Sequence, residues 1–339
     1  MTLVLGIESS CDETAAAVVR GGREVLSSVV FSQATEHARY GGVVPEIAGR
    51  SHLRAILPAI DGALEQAGVG LGAIEALAVT TRPGLVGSLL VGLSAAKGLA
   101  FARGLPLVAV DHIHAHAYSA VMEYEGSPYP CVTLVVSGGH TALYLARSPL
   151  DLECLAATGD DAAGEAFDKV AHLLGLPYPG GPSVSALAAE GDPGAIPFPR
   201  YRAKPGRAGF SFSGLKTAVL YHLRGHAPDA VTPAPEAIRD RADVAASFQE
   251  AVVESLVRPT VECALERGVE HVAVVGGVAC NRRLRQSMAE AAAAAGLEAV
   301  FPSPAYCTDN AVMIAGLGQH LVDAGLLADL DADVSSRSA

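Results

Sequence analysis

The chain has 339 residues, half of them apolar, with 24 Lys+Arg against 36 Asp+Glu for a formal net charge of −12. That length and composition suffice for a substantial core in two domains or one large one, and the charge has the wrong sign for a surface that grips nucleic acid throughout. Any nucleic-acid contact is therefore expected to be local or assisted by a partner. The longest apolar stretches are interrupted by Gly, Arg or Lys, and Met1-Thr2-Leu3-Val4-Leu5 lacks the basic region, apolar segment and cleavage site of a signal peptide. No membrane span and a cytosolic location are expected. The cysteines Cys11, Cys131, Cys154, Cys263, Cys280 and Cys307 form no CxxC pair, which fits reduced thiols and argues against a zinc ribbon or a disulfide framework.

In chain order, 3–8 reads as a buried strand, 15–19 as a returning strand and 24–32 as a third, with a turn rich in hydroxyl and acidic groups after the first. From 45 to 67 the apolar positions keep mostly helical spacing, while Pro58 predicts a kink, giving one long helix or two short ones. A strand at 74–80, a glycine-containing loop at 82–88 and a helix at 89–103 lead to a strand at 107–110. The pattern of strand, polar turn and strand then recurs at 131–146, as expected if two similarly built halves each offer a hairpin turn to one ligand; two unrelated hairpins would read the same. Helices are expected at 163–174, 183–190, 214–223, 238–267 and 282–295, with a strand at 271–275 and a last helix opening at Asp309. Residues 150–270 read as mostly helical insertion and loops, and the tail after Leu327 as frayed.

Directly after the strand at 107–110 come His112, His114 and His116. On a helix, His112 and His116 share one face and can chelate one cation, while His114 points elsewhere. The zinc-protease motif needs Glu directly after the first His, and here that residue is Ile113, so proteolysis by that route is disfavoured. The expected third ligand is a distant carboxylate, Asp309, whose alternative role is an ordinary helix cap. His, His and carboxylate suit zinc, iron and manganese, and magnesium less well.

Ser137-Gly138-Gly139-His140-Thr141 offers backbone N–H groups and hydroxyls suited to a phosphate, although a tight turn needing glycine would look alike. Gly276-Gly277 before Asn281 is a second place where backbone can approach a nucleotide. Glu8, Asp12 and Glu13 crowd the first turn and would act through a cation, through water or as acceptors for a substrate amine. Asp168 either accepts from ribose hydroxyls or is a solvated helix position. Arg200, Arg202, Lys204, Arg207 and Lys216, interleaved with Tyr201, Phe210 and Phe212, form either a local nucleic-acid contact or a solvated basic loop.

Seven ordered motifs between about residues 3 and 320 carry a resemblance: Gly6-Ile7-Glu8-Ser9-Ser10-Cys11-Asp12-Glu13-Thr14, His112-Ile113-His114-Ala115-His116, Ser137-Gly138-Gly139-His140-Thr141, Gly180-Gly181-Pro182, Phe210-Ser211-Phe212-Ser213-Gly214-Leu215-Lys216, Gly276-Gly277-Val278-Ala279-Cys280-Asn281 and Thr308-Asp309-Asn310. Together they resemble the universal tRNA threonylcarbamoyladenosine transferase family. The resemblance implies an α/β, actin/Hsp70/sugar-kinase-like (ASKHA) fold of two duplicated lobes with a nucleotide cleft, the N-terminal lobe at 1–108 and the C-terminal lobe at 109–325. It implies transfer of the threonylcarbamoyl group of threonylcarbamoyl-AMP to N6 of adenosine 37 in tRNAs reading codons that begin with A, releasing AMP. It further implies one divalent metal ion, iron or zinc before manganese or magnesium, on His112, His116 and Asp309. The loop Val135, Val136, Ser137, Gly138 and Gly139 would face the phosphate and acyl group, and Asp168, Gly181 and Asn281 would contact ribose and adenine. Expected partners are tRNA and TsaB-like and TsaE-like proteins. Many relatives carry Asp where this chain has Ser185, which puts a carboxylate contact to ribose there in doubt. The acyl carbon of such a mixed anhydride is already activated, so positioning and polarisation carry most of the catalysis, with Glu8 and Asp12 as the candidate bases. A sugar- or acetate-kinase-like phosphotransferase and a nucleotide-gated scaffold share the implied fold, but have no evident use for the His pair with Asp309.

Overall fold

The computed structural model describes residues 2–202, 209–225, 231 and 233–338. In chain order its main elements are β1 (Leu3–Glu8), β2 (Glu13–Arg20), β3 (Glu24–Ser32), α1 (Ala34–Ala38), α2 (Pro45–Ala67), β4 (Ala76–Arg82), α3 (Val86–Arg103), β5 (Leu107–Asp111) and α4 (His112–Met122). There follow β6 (Cys131–Val136), β7 (Thr141–Ser148), β8 (Asp151–Ala157), α5 (Ala163–Leu173), α6 (Gly180–Ala188), α7 (Ser213–Arg224), α8 (Arg241–Arg267), β9 (His271–Val275), α9 (Arg282–Ala294), β10 (Glu298–Val300) and α10 (Ala311–Asp323).

The strands form two five-stranded sheets of the same order, β3-β2-β1-β4-β5 and β8-β7-β6-β9-β10. In the first, β2 runs antiparallel to β1 and β3, while β1, β4 and β5 are parallel. In the second, β7 is antiparallel to β6, and β6, β9 and β10 are parallel. The repeat expected from the two hairpins is thus a repeat of whole sheets, β1 corresponding to β6 and β4 to β9.

The chain divides into two units, one of Met1–Ser127, Arg147–Leu152 and Pro302–Ala339, the other of Pro128–Ala146 and Glu153–Phe301. In the first unit β1 reads as a continuous apolar run because both of its faces are covered. Leu5 and Ile7 join Ile56, Ile60 and Ala63 of α2 and Leu93, Ala96 and Ala100 of α3 in one buried cluster. Gly6, pointing the opposite way by the period of two, lies against α10, where an added Cβ would sit 2.4 Å from the Ala311 carbonyl oxygen. α2 is one helix through Pro58, which faces solvent, as does Arg54, whose carbonyl lacks the proline N–H.

Three expectations change. The division expected at 108/109 falls inside the first unit, because α10 packs on α4 and across β1, β2, β4 and β5. Asp151–Ala157, inside the expected helical insertion, is strand β8, the edge of the second sheet. The tail expected to fray is tied down: Ala328 N–H donates to the Leu107 carbonyl at 2.8 Å, Ser335 N–H to that of Thr81 at 2.9 Å, and the Ser338 hydroxyl to Asp111 Oδ2 at 2.6 Å. Among the described residues α3 is the one helix long and apolar enough to cross a membrane, with a mean hydropathy of 1.2. Its Leu89, Leu93, Ala96 and Ala100 are buried in the first unit's interior, so the composition serves packing on α2 and β4.

Candidate active site

In the first unit three strand and helix ends meet. β1 ends in Glu8, which is fully buried. β5 ends in Asp111, whose Oδ1 accepts from the N–H groups of Ile113 at 3.0 Å and His114 at 3.3 Å and so caps α4. That cap starts the helix at His112 and stacks His116 one turn on. At the third end Asn310 caps α10, its Oδ1 accepting from Met313 N–H at 3.0 Å. The cap role that Asp309 might have filled is therefore taken by its neighbour, and the Asp309 carboxylate turns to the histidines instead. Asp309 Oδ1 lies 3.1 Å from His116 Nε2 and 3.4 Å from His112 Nε2. One donor atom from each of the three residues falls within 4.8 Å of the others.

Behind His112 stands Glu8. Its Oε2 lies 2.9 Å from His112 Nδ1 and accepts from the Thr80 hydroxyl at 2.6 Å, while Oε1 accepts from Ser10 N–H. This carboxylate–imidazole pairing orients a metal-ligating His, because a proton held on Nδ1 makes Nε2 the nitrogen that a cation would take in place of a second proton. Burial opposes charge on both carboxylates, yet His112 holds Glu8 below the ordinary carboxylate value, and His112 with His116 holds Asp309 well below it. Burial also opposes charge on the imidazoles; Asp309 and Glu8 overcome it at His112, whose pKa lies well above 6.5, and do not at His116, whose pKa is lowered. The cluster thus sets two buried carboxylates against one imidazolium. Among the described residues His116 Nδ1 is buried without a hydrogen-bond partner, so Nε2 carries the ring's polar contact. Two Nε2 atoms, one carboxylate oxygen, a supporting carboxylate and an excess of negative charge fit a divalent cation.

The first turn is braced from α2. His52, fully buried, has Nδ1 2.7 Å from Thr14 Oγ1 and Nε2 2.9 Å from the Cys11 carbonyl oxygen. Beside it, burial, Asp309 and Asp12 push the Glu13 carboxyl up to about 9, so it is neutral at pH 7. The sequence carries no expectation for Thr80, Asp111 or His52, and none of a cap for Asn310, although it stands in the Thr308-Asp309-Asn310 motif. Asp111, directly before a helical run, carried the usual signal of a cap; His52, one of several polar residues on α2, carried none.

The second unit holds the other expected residues. Val135 and Val136 end β6, both buried, and the turn folds on itself: Ser137 N–H donates to the His140 carbonyl at 2.8 Å and His140 N–H to Ser137 Oγ at 3.2 Å. Gly138 and Gly139 are exposed, with open space where a Cβ would stand. α5 begins on this turn, Gly164 N–H donating to the Ser137 carbonyl at 3.2 Å. From the other side Gly276, at φ +94°, passes so close that a Cβ would lie 2.4 Å from the Val136 carbonyl oxygen. Asp168 is neither a bare surface residue nor a group aimed only at a ligand: its Oδ1 accepts from Gly180 N–H at 2.7 Å at the start of α6. Gly181 follows with open space around it. Asn281 caps α9 through Oδ1, which accepts from Leu284 N–H at 3.0 Å, and its Nδ2 donates to Ser185 Oγ at 2.9 Å and Gln249 Oε1 at 2.8 Å.

The family model described as TsaD: tRNA N6-adenosine threonylcarbamoyltransferase matches residues 24–316. The chain belongs to the TsaD family. A curated relative of the same description from Geobacter sp. (strain M21) is 53% identical over 98% of this chain and 94% of its own length. Another, from Symbiobacterium thermophilum, is 54% identical over 97% and 94%. Among solved structures, HypF of T. kodakarensis superposes with a TM-score of 0.64 at 16% identity, over 95% of this chain and 48% of that one. The (R)-2-hydroxyglutaryl-CoA dehydratase component A of Acidaminococcus fermentans gives 0.56 at 15%, over 95% and 100%. These likenesses establish the actin/Hsp70/sugar-kinase-like architecture, and TsaD membership establishes an acyl-transferring enzyme rather than a kinase, a scaffold or a protease.

For this TsaD chain the basic segment reads differently from its sequence. Phe210 and Phe212 are 2% and 0% exposed and stack on each other with centroids 6.5 Å apart, so they are core residues and not platforms for bases. Arg200 Nε and Nη2 donate to both oxygens of Glu254, at 2.7 and 3.1 Å. Lys204 and Arg207 lie outside the described residues. The Phe-Ser-Phe-Ser motif is instead anchored by Asp160, which accepts from the hydroxyls of Ser211 at 2.5 Å and Ser213 at 2.7 Å and from Phe212 N–H at 2.9 Å. Although burial opposes it, these donors hold Asp160 below its ordinary 3.8. A depressed folded-state pKa places the stabilising contribution above the unfolded value and removes it as pH falls through the folded one. Asp160→Ala is expected to raise amide exchange at Phe212 and Ser213 at neutral pH, and in the unaltered protein the same amides should lose protection only below about pH 3.8. Unchanged exchange in the variant would refute the anchor.

Proposed function

We propose that this chain transfers the threonylcarbamoyl group of threonylcarbamoyl-AMP to N6 of adenosine 37 in tRNAs reading codons that begin with A. The observation that carries the reading is the convergence of His112, His116 and Asp309 over Glu8 in a chain of this family. His112 Nε2, His116 Nε2 and Asp309 would hold a divalent ion, iron or zinc by the mixed nitrogen and oxygen donor set. When bound, such an ion supplies Lewis-acid polarisation to an oxygen ligand. The chain's own residues do the rest. Glu8 keeps the His112 proton on Nδ1. The exposed amides of Gly138 and Gly139 offer donors to phosphate, and Gly181, Asp168 and Asn281 form the nucleoside end of the same unit.

The amine of adenosine is a poor nucleophile, so its alignment with the activated acyl carbon accounts for much of the rate. Of the two expected bases, Glu8 already accepts from Ser10, Thr80 and His112. Asp12, half-buried in the first turn, is the group left to take the proton from N6. Asp12→Asn is expected to lower kcat about 100-fold with little change in metal content; a variant with unaltered kcat removes Asp12 from the role. Partners of the TsaB and TsaE kind would help bind the tRNA and reset the site in the cytosol, an arrangement compatible with the chain's net charge of −12. The test of function is replacement: in bacterial cells depleted of their own family member, this chain should restore threonylcarbamoyladenosine in bulk tRNA, and nucleoside mass spectrometry showing none would overturn the reading.

A further inference from the structure

Ser185, Gln249 and Asn281 form a closed polar cluster whose orientation follows from one backbone donor. Leu284 N–H can only donate, so the Asn281 atom 3.0 Å from it is Oδ1. The amide nitrogen of Asn281 must then face the other way, where it donates toward Ser185 Oγ at 2.9 Å and Gln249 Oε1 at 2.8 Å. Ser185 in turn donates its hydroxyl proton to the same Gln249 Oε1 at 2.8 Å. Ser185, whose one hydrogen goes to Gln249, therefore has no donor left for a ligand. Gln249, pinned through its oxygen by two donors, is half-buried, and its Nε2 has no hydrogen-bond partner among the described residues.

We propose that Gln249 is the ligand-contacting donor of the nucleoside subsite, presenting Nε2 to an acceptor on the ribose or base, while Asn281 and Ser185 are positioning residues that hold its amide in that sense. This rests on the reading of Asp168, Gly181 and Asn281 as the nucleoside end of the site.

Gln249→Glu separates contact from support. The carboxylate still accepts from Asn281 and Ser185, so support is kept, but an oxygen replaces the donor. Binding is measured by titration calorimetry with adenosine, which is neutral, and with AMP, alongside the thermal midpoint. The expected result is affinity for both lowered about tenfold or more, with an unchanged midpoint. Equal affinity in Gln249→Glu and the unaltered chain overturns the contact role alone. Failure of the unaltered chain to bind either nucleoside overturns the nucleoside subsite and this inference with it. Should the variant not fold, the Gln249 side-chain N–H resonances of the unaltered chain, assigned by their loss in Gln249→Met, decide: they shift on saturation with adenosine if Nε2 is the contact, and stay in place if it is not.

Discussion

Asp309→Ala is expected to abolish metal retention and to lower threonylcarbamoyl transfer about 1,000-fold. Asp309 gives one oxygen to both histidines, at 3.1 and 3.4 Å, and is the one carboxylate of the donor set. Its loss leaves two imidazoles, of which His112 keeps only Glu8 to favour its proton over a metal. Lewis-acid stabilisation of a transition state amounts to several kcal/mol, and each ~1.4 kcal/mol is a factor of ten, which sets the size of the effect. Glu8→Gln makes the informative comparison. It leaves all three ligands in place and removes only the charge behind His112, so metal affinity should fall about 10- to 100-fold. Metal analysis after dialysis and a transfer assay on both variants check this. Full metal content in Asp309→Ala would show that the three residues do not form the site.

Gly6→Ala is expected to damage stability and the metal site together. A Cβ on Gly6 would meet the Ala311 carbonyl oxygen at 2.4 Å, Ala315 N at 2.7 Å and Ala315 Cβ at 2.8 Å. Two of these are backbone atoms of α10, so no side-chain rotation relieves the contact and the helix must withdraw from β1. Overpacking of this kind costs about 3 kcal/mol. Asp309 stands just before α10 and moves with its start, so metal affinity should fall as well. Gly138→Ala is the control, because nothing lies within 4 Å of a Cβ there. Urea midpoints and metal titration for both variants read the outcome, and a Gly6→Ala protein as stable as the control would contradict the packing described.

Much of the fold was legible because its signals are local. The hairpins β1–β2 and β6–β7 show as apolar runs broken by polar turns, and their duplication pointed to two like halves. His112 and His116 were legible from helical spacing alone. What was not legible depends on long-range contact. Nothing in the crowded turn after β1 says that Glu8 would lie against His112, a residue 104 positions away, so it read as a possible base like Asp12. Asp168 and Asn281 were singled out for ligand contact, but each also closes a helix start, which needs the positions of Gly180 and Leu284. Gln249 lies inside the long helix α8 with no local mark. Phe210 and Phe212 looked like stacking residues because basic residues surround them, and only the packing places them in the core. The tail, short of apolar residues, is held by backbone hydrogen bonds to Leu107 and Thr81 that composition does not announce.

The most direct test is reconstitution: the purified chain, a tRNA transcript reading codons that begin with A, threonine, bicarbonate, ATP and the partner proteins of the pathway, followed by mass spectrometry of the digested nucleosides. Threonylcarbamoyladenosine at position 37, dependent on the chain and lost with Asp309→Ala, is the result predicted. Its absence with every partner present, or its undiminished formation when this chain is left out, would contradict the account.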